Sequence, residues 1–212
     1  MTDNMINDTK PIIALTFDDG PARCDNRILT ALEKAGGRAT FFMLGVKVTR
    51  YKKKIIERMI ADGCEIGNHS WNHRRLDRLP ASDIRDQINR TDEAIRQFTG
   101  KDTVLIRPPY GEIGGSVMPV IKEMGHPAVL WSVDTMDWKT KSAANTVTVV
   151  LNHARDGDII LMHSIGITAT AVELMIPALV RRGFQLVTVS ELAAIRGGLK
   201  SGAIIEELWP DQ

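Results

Sequence analysis

The chain has 212 residues, with 27 Lys+Arg against 26 Asp+Glu and a formal net charge of +1. That balance argues against a dedicated nucleic-acid binder, which carries a strong basic excess, and no apolar run approaches the length of a membrane-spanning helix. Cys24 and Cys64 allow one bridge but no disulfide scaffold, and the first ten residues lack the basic start and apolar stretch of a signal segment.

Ile12 to Phe17 reads as a buried strand ending in Asp18-Asp19-Gly20-Pro21. A helix is predicted from about Asn26 to the Gly36-Gly37 pair, then a short strand over Ala39–Leu44. Residues 51–61 predict a helix with Ile55, Ile56, Met59 and Ile60 inward, and Cys64–Gly67 a brief strand. Ser82 reads as the N-cap of a long helix carrying Ile84, Ile88, Ile95 and Phe98, closed by Gly100. Thr103–Ile106 predicts a strand that Pro108-Pro109 must end, since proline offers no ladder donor. A short helix near Val117–Met124, a strand over Ala128–Val133, a helix around Ala143–Ala154 and a strand over Asp158–Met162 follow. A helix at 170–182, a strand over Phe184–Val189 and a helix opened by Ser190-Glu191 complete the chain.

About seven strands separated mostly by helices predict an α/β fold with a parallel sheet. An open doubly wound sheet and a closed barrel both satisfy that pattern. Asp18-Asp19, His69, Arg107, Asp134 and His163 follow or end successive strands. Side chains from so many strands converge most easily in a ring, with the loops gathered at its C-terminal mouth. A distorted (β/α) barrel of fewer than eight strands is therefore expected. No linker, repeat or low-complexity stretch divides residues 1–212, so one domain is expected.

His69-Ser70-Trp71-Asn72-His73 places two histidines four apart, the spacing of one face of a helical turn, where both rings can reach one metal. The zinc-protease pattern needs Glu after the first histidine, and Ser70 stands there. Asp18 and Asp19 are the best carboxylate donors, one for a metal and one for proton transfer; a plain Asp-Gly turn is the alternative. Arg107-Pro108-Pro109-Tyr110-Gly111 offers a cation for a buried Asp and a backbone N–H for an oxyanion, or simply a surface arginine beside a stiff turn. His163 ends an apolar strand; an acidic neighbour such as Asp137 would raise its pKa and make it a general acid. Trp138 and Trp71 could stack on a sugar, although tryptophan is more often core. Lys52–Lys54, Arg74, Arg75 and Arg78 read as solvated faces, with attraction of an anionic wall polymer as the alternative.

In this order, Thr16–Gly20, His69–His73, Arg107–Gly111, Asp134–Trp138 and Leu161–His163 resemble the motifs of the polysaccharide deacetylase family, carbohydrate esterase family 4, the NodB homology domain. The resemblance implies a single catalytic domain, a distorted (β/α) barrel with one divalent metal, zinc or cobalt, held by Asp19, His69 and His73. It implies Asp18 as general base held by Arg107, the Tyr110 backbone N–H at the oxyanion, and His163 as general acid tuned by Asp137. Trp138 and Leu161 would line the acetyl pocket. The implied substrate is an acetylated polysaccharide, with N-deacetylation of N-acetylglucosamine in peptidoglycan or chitin-like oligomers expected. O-deacetylation of xylan is the alternative, and an inactive carbohydrate-binding module a more distant one. A monomer acting outside the cell or in the wall is expected, with a cytoplasmic location as the alternative. One departure is Ser164, where many members carry Asp after the acid histidine.

Overall fold

The computed structural model describes residues 6–206; residues 1–5 of the N-terminal stretch and 207–212 of the expected domain lie outside that span. Every strand pairing is parallel. The spine is β1 (Ile12–Gly20). One edge of it pairs with β2 (Thr40–Met43), which continues to β3 (Glu65–Asn68); the other pairs with β6 (Ile159–His163). Asn68 bridges Ile106, and Ile106 bridges Ala128 of β4 (Ala128–Val129). The chain then runs on into β5 (Val133–Asp134), which pairs with β6. The hydrogen-bonded ring is thus closed, as the convergence of reactive residues predicts. Two short strands, β7 (Gln185–Val187) and β8 (Ile204–Ile205), fill the remaining edges of β1 and β4.

Between the strands run α1 (Asp25–Lys34), α2 (Lys53–Ala61), α3 (Ala81–Thr99), α4 (Val117–Glu123), α5 (Asp137–Thr140), α6 (Ala143–His153), α7 (Gly166–Arg181) and α8 (Val189–Arg196). The two-residue period of a strand decides what faces where. On β1, Ile13, Leu15 and Phe17 join the outer core with Ile28 and Leu29 of α1 and Val172 and Met175 of α7. The alternate Ile12 and Ala14 pack with Phe42, Leu105, Val129 and Ile159 inside the ring, and α8 adds Val189 and Leu192. Continuing on that inner face, the sequence turns polar at Thr16 and Asp18. On β6 the same alternation sends Ile160 and Met162 outward and puts Ile159, Leu161 and His163 on the inner face. The barrel is therefore apolar at one end and reactive at the other.

Several expected boundaries move. Thr103–Ile106 forms only a one-residue bridge at Ile106, because the prolines that follow cannot extend a ladder. The single strand over Ala128–Val133 is two strands, broken where it leaves β8 for β6. The long helix begins at Ala81, with Pro80 in the N-cap position and Ser82 inside the first turn. The helix expected at 170–182 begins at Gly166. The last helix opens at Val189, capped reciprocally by Thr188 and Glu191. The short α5 and β8 have no counterpart among the expected elements. Among the described residues, no helix is long and apolar enough to cross a membrane.

Candidate active site

Neighbouring residues on a strand point to opposite faces, so two adjacent aspartates need a device to share one pocket. β1 provides it as a register shift between Asp18 and Gly20, with Asp19 at φ 66°. Aspartate tolerates the left-handed region better than most residues. Asp18 stays on the inner face of the strand, 3% exposed, while Asp19 is re-aimed toward the histidines.

His69 and His73 do not lie on a helical turn. They flank a loop in which Ser70 and His73 take φ 69° and 62°. The loop is tied down from α3 and β3: Gln87 Oε1 accepts the Trp71 and Asn72 N–H groups, and Asn68 Oδ1 accepts the Ser70 N–H at 2.8 Å. Asn68 Nδ2 donates to the Ile88 carbonyl and to Asp92, each at 2.9 Å. Gly67 is needed here for space, since a Cβ on it would stand 2.5 Å from the Phe42 ring.

His69 Nδ1 lies 2.7 Å from the Arg107 carbonyl. A carbonyl only accepts, so Nδ1 carries the proton and Nε2 presents its lone pair. That nitrogen is 3.8 Å from Asp19 Oδ1, and His73 Nε2 is 3.7 Å from the same oxygen. Burial and the neighbouring His69 lower the His73 pKa, which favours the neutral form of this imidazole. Asp19 Oδ1 is buried with no hydrogen-bond donor among the described residues. A carboxylate oxygen facing two imidazole lone pairs is unfavourable unless a cation lies among them. Asp19, His69 and His73, whose donor atoms all lie within 4.8 Å of one another, fit one divalent ion.

Arg107 is wholly buried, not a surface arginine. Its Nη1 donates to Asp18 Oδ1 at 2.9 Å and to Thr16 Oγ1 at 2.7 Å; Nε and Nη2 donate to the Val129 and Leu130 carbonyls. The guanidinium lies 4.2 Å from the centre of the Phe42 ring. Burial draws its pKa down and Asp18 opposes that shift. Tyr110 follows in the same loop at φ 63°, its ring edge-on to His73 at 4.6 Å.

Asp18 and His163 occupy one register position on adjacent strands. His163 Nδ1 lies 2.7 Å from Asp137 Oδ1. Burial alone would lower the His163 pKa, but the Asp137 hydrogen bond and charge outweigh it and raise it. Asp137 also accepts the His163 and Trp138 backbone N–H groups, each at 2.8 Å, and the Thr168 hydroxyl at 2.5 Å. Burial pushes its pKa up, yet these bonds prevail and hold it below the usual carboxylate value. Leu161 lines the inner face two residues before His163, and Trp138 stands half-exposed beside Asp137. Ser164 donates its backbone N–H to the Asp18 carbonyl at 2.8 Å.

Thr16, Asn68, Gln87 and Thr168 take part without having been singled out. Thr16 sits two residues before Asp18, so strand period would find it, and Asn68 directly precedes His69. Gln87 and Thr168 arrive from distant helices and carry no local signal.

The arrangement is that of a hydrolytic centre: a metal donor set flanked by a carboxylate on one strand and a carboxylate-bound imidazole on the next. The family profile described as polysaccharide deacetylase matches residues 6–129. The chain is 42% identical over 193 residues to the peptidoglycan-N-acetylmuramic acid deacetylase PdaC of Bacillus subtilis, covering 90% of this chain and 40% of that protein. It is 37% identical over 186 residues to the peptidoglycan-N-acetylglucosamine deacetylase PgdA of Listeria monocytogenes, covering 87% and 39%. The solved structure of a family 4 acetyl xylan esterase from Clostridium thermocellum, in complex with a cobalt ion, superposes with a TM-score of 0.87 at 31% identity, covering 93% of this chain and 98% of that one. The chain belongs to the polysaccharide deacetylase family. It spans about two fifths of the length of the two curated relatives.

Proposed function

We propose that this chain is a metal-dependent deacetylase that hydrolyses the N-acetyl group of an amino sugar in peptidoglycan glycan, releasing acetate and a free amine. The observation that carries the reading is that Asp18 and His163 share a register position beside the Asp19, His69 and His73 donor set. A zinc or cobalt ion held by those three residues supplies a Lewis acid for the amide carbonyl and lowers the pKa of water.

Asp18, held in place by Arg107, takes a proton from the attacking water. The backbone N–H of Tyr110 donates to the developing oxyanion. An amine departs from the tetrahedral intermediate only once its nitrogen is protonated, and His163 delivers that proton. Asp137 keeps the imidazole oriented and raises its pKa, favouring the protonated form. Leu161 and Trp138 bound the space for the acetyl methyl group and the sugar. The span acts as one catalytic domain and as a monomer, and its relatives' substrates argue for action at the cell wall.

O-deacetylation of xylan is the second reading, favoured by the superposition on the acetyl xylan esterase. Acetate release from peptidoglycan, chitin oligomers and acetylated xylan separates the two, measured after chelation and again with zinc or cobalt restored. Metal-dependent release from the amino-sugar polymers is expected. Release from xylan alone favours the esterase, and no release from any polymer in the presence of metal overturns both.

A further inference from the structure

The His69–His73 loop and the Arg107–Gly111 loop are joined at more than one level. At the base, His69 Nδ1 donates to the Arg107 carbonyl. Above it, the His73 ring stands edge-on to the Tyr110 ring. A further join lies just past both motifs. Arg75 Nη2 donates to Glu112 Oε1 at 2.5 Å, while Arg75 Nε and Nη2 hold the Asp77 carboxylate at 3.1 and 3.0 Å. The same guanidinium lies 5.6 Å from the centre of the Tyr110 ring. Arg75, expected on a solvated face, thus spans from one loop to the other. Both ends of this clamp stand on one packed base. Leu76, next to Arg75, is buried with Ile84 and Ile88 of α3 and with Val117 and Val120 of α4, the helix that follows the Glu112 segment. The two backbones also run close, since a Cβ on Gly115 would stand 3.2 Å from the Asp77 carbonyl oxygen.

Tyr110 needs such a hold. It sits at φ 63°, a conformation that a bulky side chain keeps only where its surroundings impose it. The backbone bonds beside it are local, from the Gly111 and Glu112 N–H groups to the Pro108 and Pro109 carbonyls. Gly111 is pressed against Trp131, where a Cβ would stand 2.8 Å from the ring. Gly114 and Gly115 then leave the segment pliable on its way to α4. The Glu112 side chain ties this segment back to the histidine loop.

We infer that Arg75 is a positioning residue for the reaction: through Glu112 it clamps the Tyr110 segment to the histidine loop and so aims the Tyr110 N–H at the oxyanion. This rests on the deacetylase reading above, in which that N–H meets the developing charge. Arg75 acts through the peptide group and not on the substrate, so its loss is felt in the transition state. Both side chains are partly exposed, and ion pairs of that kind add little to stability. What the clamp supplies is the aim of one N–H.

The test measures acetate release by the zinc-loaded wild type, Arg75→Met, Glu112→Gln and the double variant. The substrate is whichever of peptidoglycan, chitin oligomers and acetylated xylan the wild type turns over fastest. Each single variant should lower kcat by about 10–100-fold, within the loss that follows removal of a whole oxyanion donor. KM should stay near the wild-type value, as when an interaction made only in the transition state is lost. The double variant should be no slower than the slower single one, because both changes open the same clamp. Arg75→Lys should recover part of kcat. Bound zinc and the denaturation midpoint should hardly change, while hydrogen exchange read by mass spectrometry should quicken in peptides covering residues 107–116. A kcat close to wild type in both single variants, losses that multiply in the double one, a change confined to KM, or unaltered exchange overturns the inference and leaves the deacetylase reading intact. Should Arg75→Met fail to fold, Glu112→Gln decides by its kcat, KM and exchange. No acetate released by the wild type from any of the three polymers overturns that reading and the inference with it.

Discussion

Arg107 and Asp18 form an ion pair at 2.9 Å with both side chains out of reach of solvent. Such a pair contributes little net stability, because desolvation offsets the attraction, but removing one partner strands the other. Arg107→Ala should destabilise the fold by about 3–5 kcal/mol, readable as a lower denaturation midpoint. Arg107→Lys keeps the charge but cannot reach Asp18, Thr16 and two strand carbonyls at once. It should fold yet lose about 10²–10⁴ in kcat, the contribution of a well-placed base. Near-normal turnover in the lysine variant would show that the orientation of Asp18 is unimportant.

Asp18 and Asp19 are adjacent in sequence but separated by the bulge, and their losses should differ. Asp19→Asn weakens the donor set, so dialysed protein should carry little zinc. Asp18→Asn should retain zinc at wild-type stoichiometry while kcat drops by about 10²–10⁴-fold. Metal analysis beside acetate release tests both at once; an active Asp18→Asn enzyme would sink the base assignment.

The five motifs and the placement of Asp18 and His163 at the ends of apolar strands were legible because each depends on residues close in the chain. The bulge at Asp19 was not, since Asp-Asp-Gly reads equally well as a turn. The helical reading of His69 and His73 failed because spacing of four says nothing of Ser70 and His73 adopting positive φ. That conformation is held by Asn68 and Gln87 through bonds that no local pattern encodes. For Arg107 the local sequence leaves a partner for a buried Asp and a surface residue beside two prolines both open, and ring closure places it inside the barrel.

The pH dependence follows from His163, whose pKa is raised above the ordinary value of about 6.5. In the proposed role of general acid it works protonated, so kcat/KM should fall as pH rises through that raised value. Asp137→Asn removes the charge that overcomes burial, and the alkaline limb should move to lower pH. The linked stability has the same sign. The pair's contribution through His163 is fully present below about pH 6.5 and is lost as pH rises through the folded-state pKa. A limb that stays in place in the asparagine variant would assign it to another group.

Asn68 is buried and ties the histidine loop to α3 through Ser70, Ile88 and Asp92. Asn68→Ala leaves the buried Ser70 N–H unpaired, at a cost of about 1–3 kcal/mol, while Asp92 keeps the Thr103 hydroxyl. Groups that orient metal ligands typically alter metal affinity by about 10–100-fold when lost. Zinc competition against a chromogenic chelator should reveal that weakening; unaltered affinity would show that the loop keeps its shape without Asn68.

Thr168 reaches Asp137 from α7 at 2.5 Å, on the carboxylate oxygen that also accepts the His163 backbone N–H. Thr168→Val keeps the shape and deletes the donor. The carboxylate is then less stabilised and becomes the stronger acceptor for the His163 N–H, so the His163 pKa should rise further. The alkaline limb should move up, opposite to Asp137→Asn, while stability falls by about 1.5–3 kcal/mol for a lost bond to a charged group. Thr168→Ser should restore both. A stability loss without movement of the limb would make Thr168 a packing residue only; a limb that moves up and returns with serine makes it the residue that sets how strongly Asp137 holds the acid.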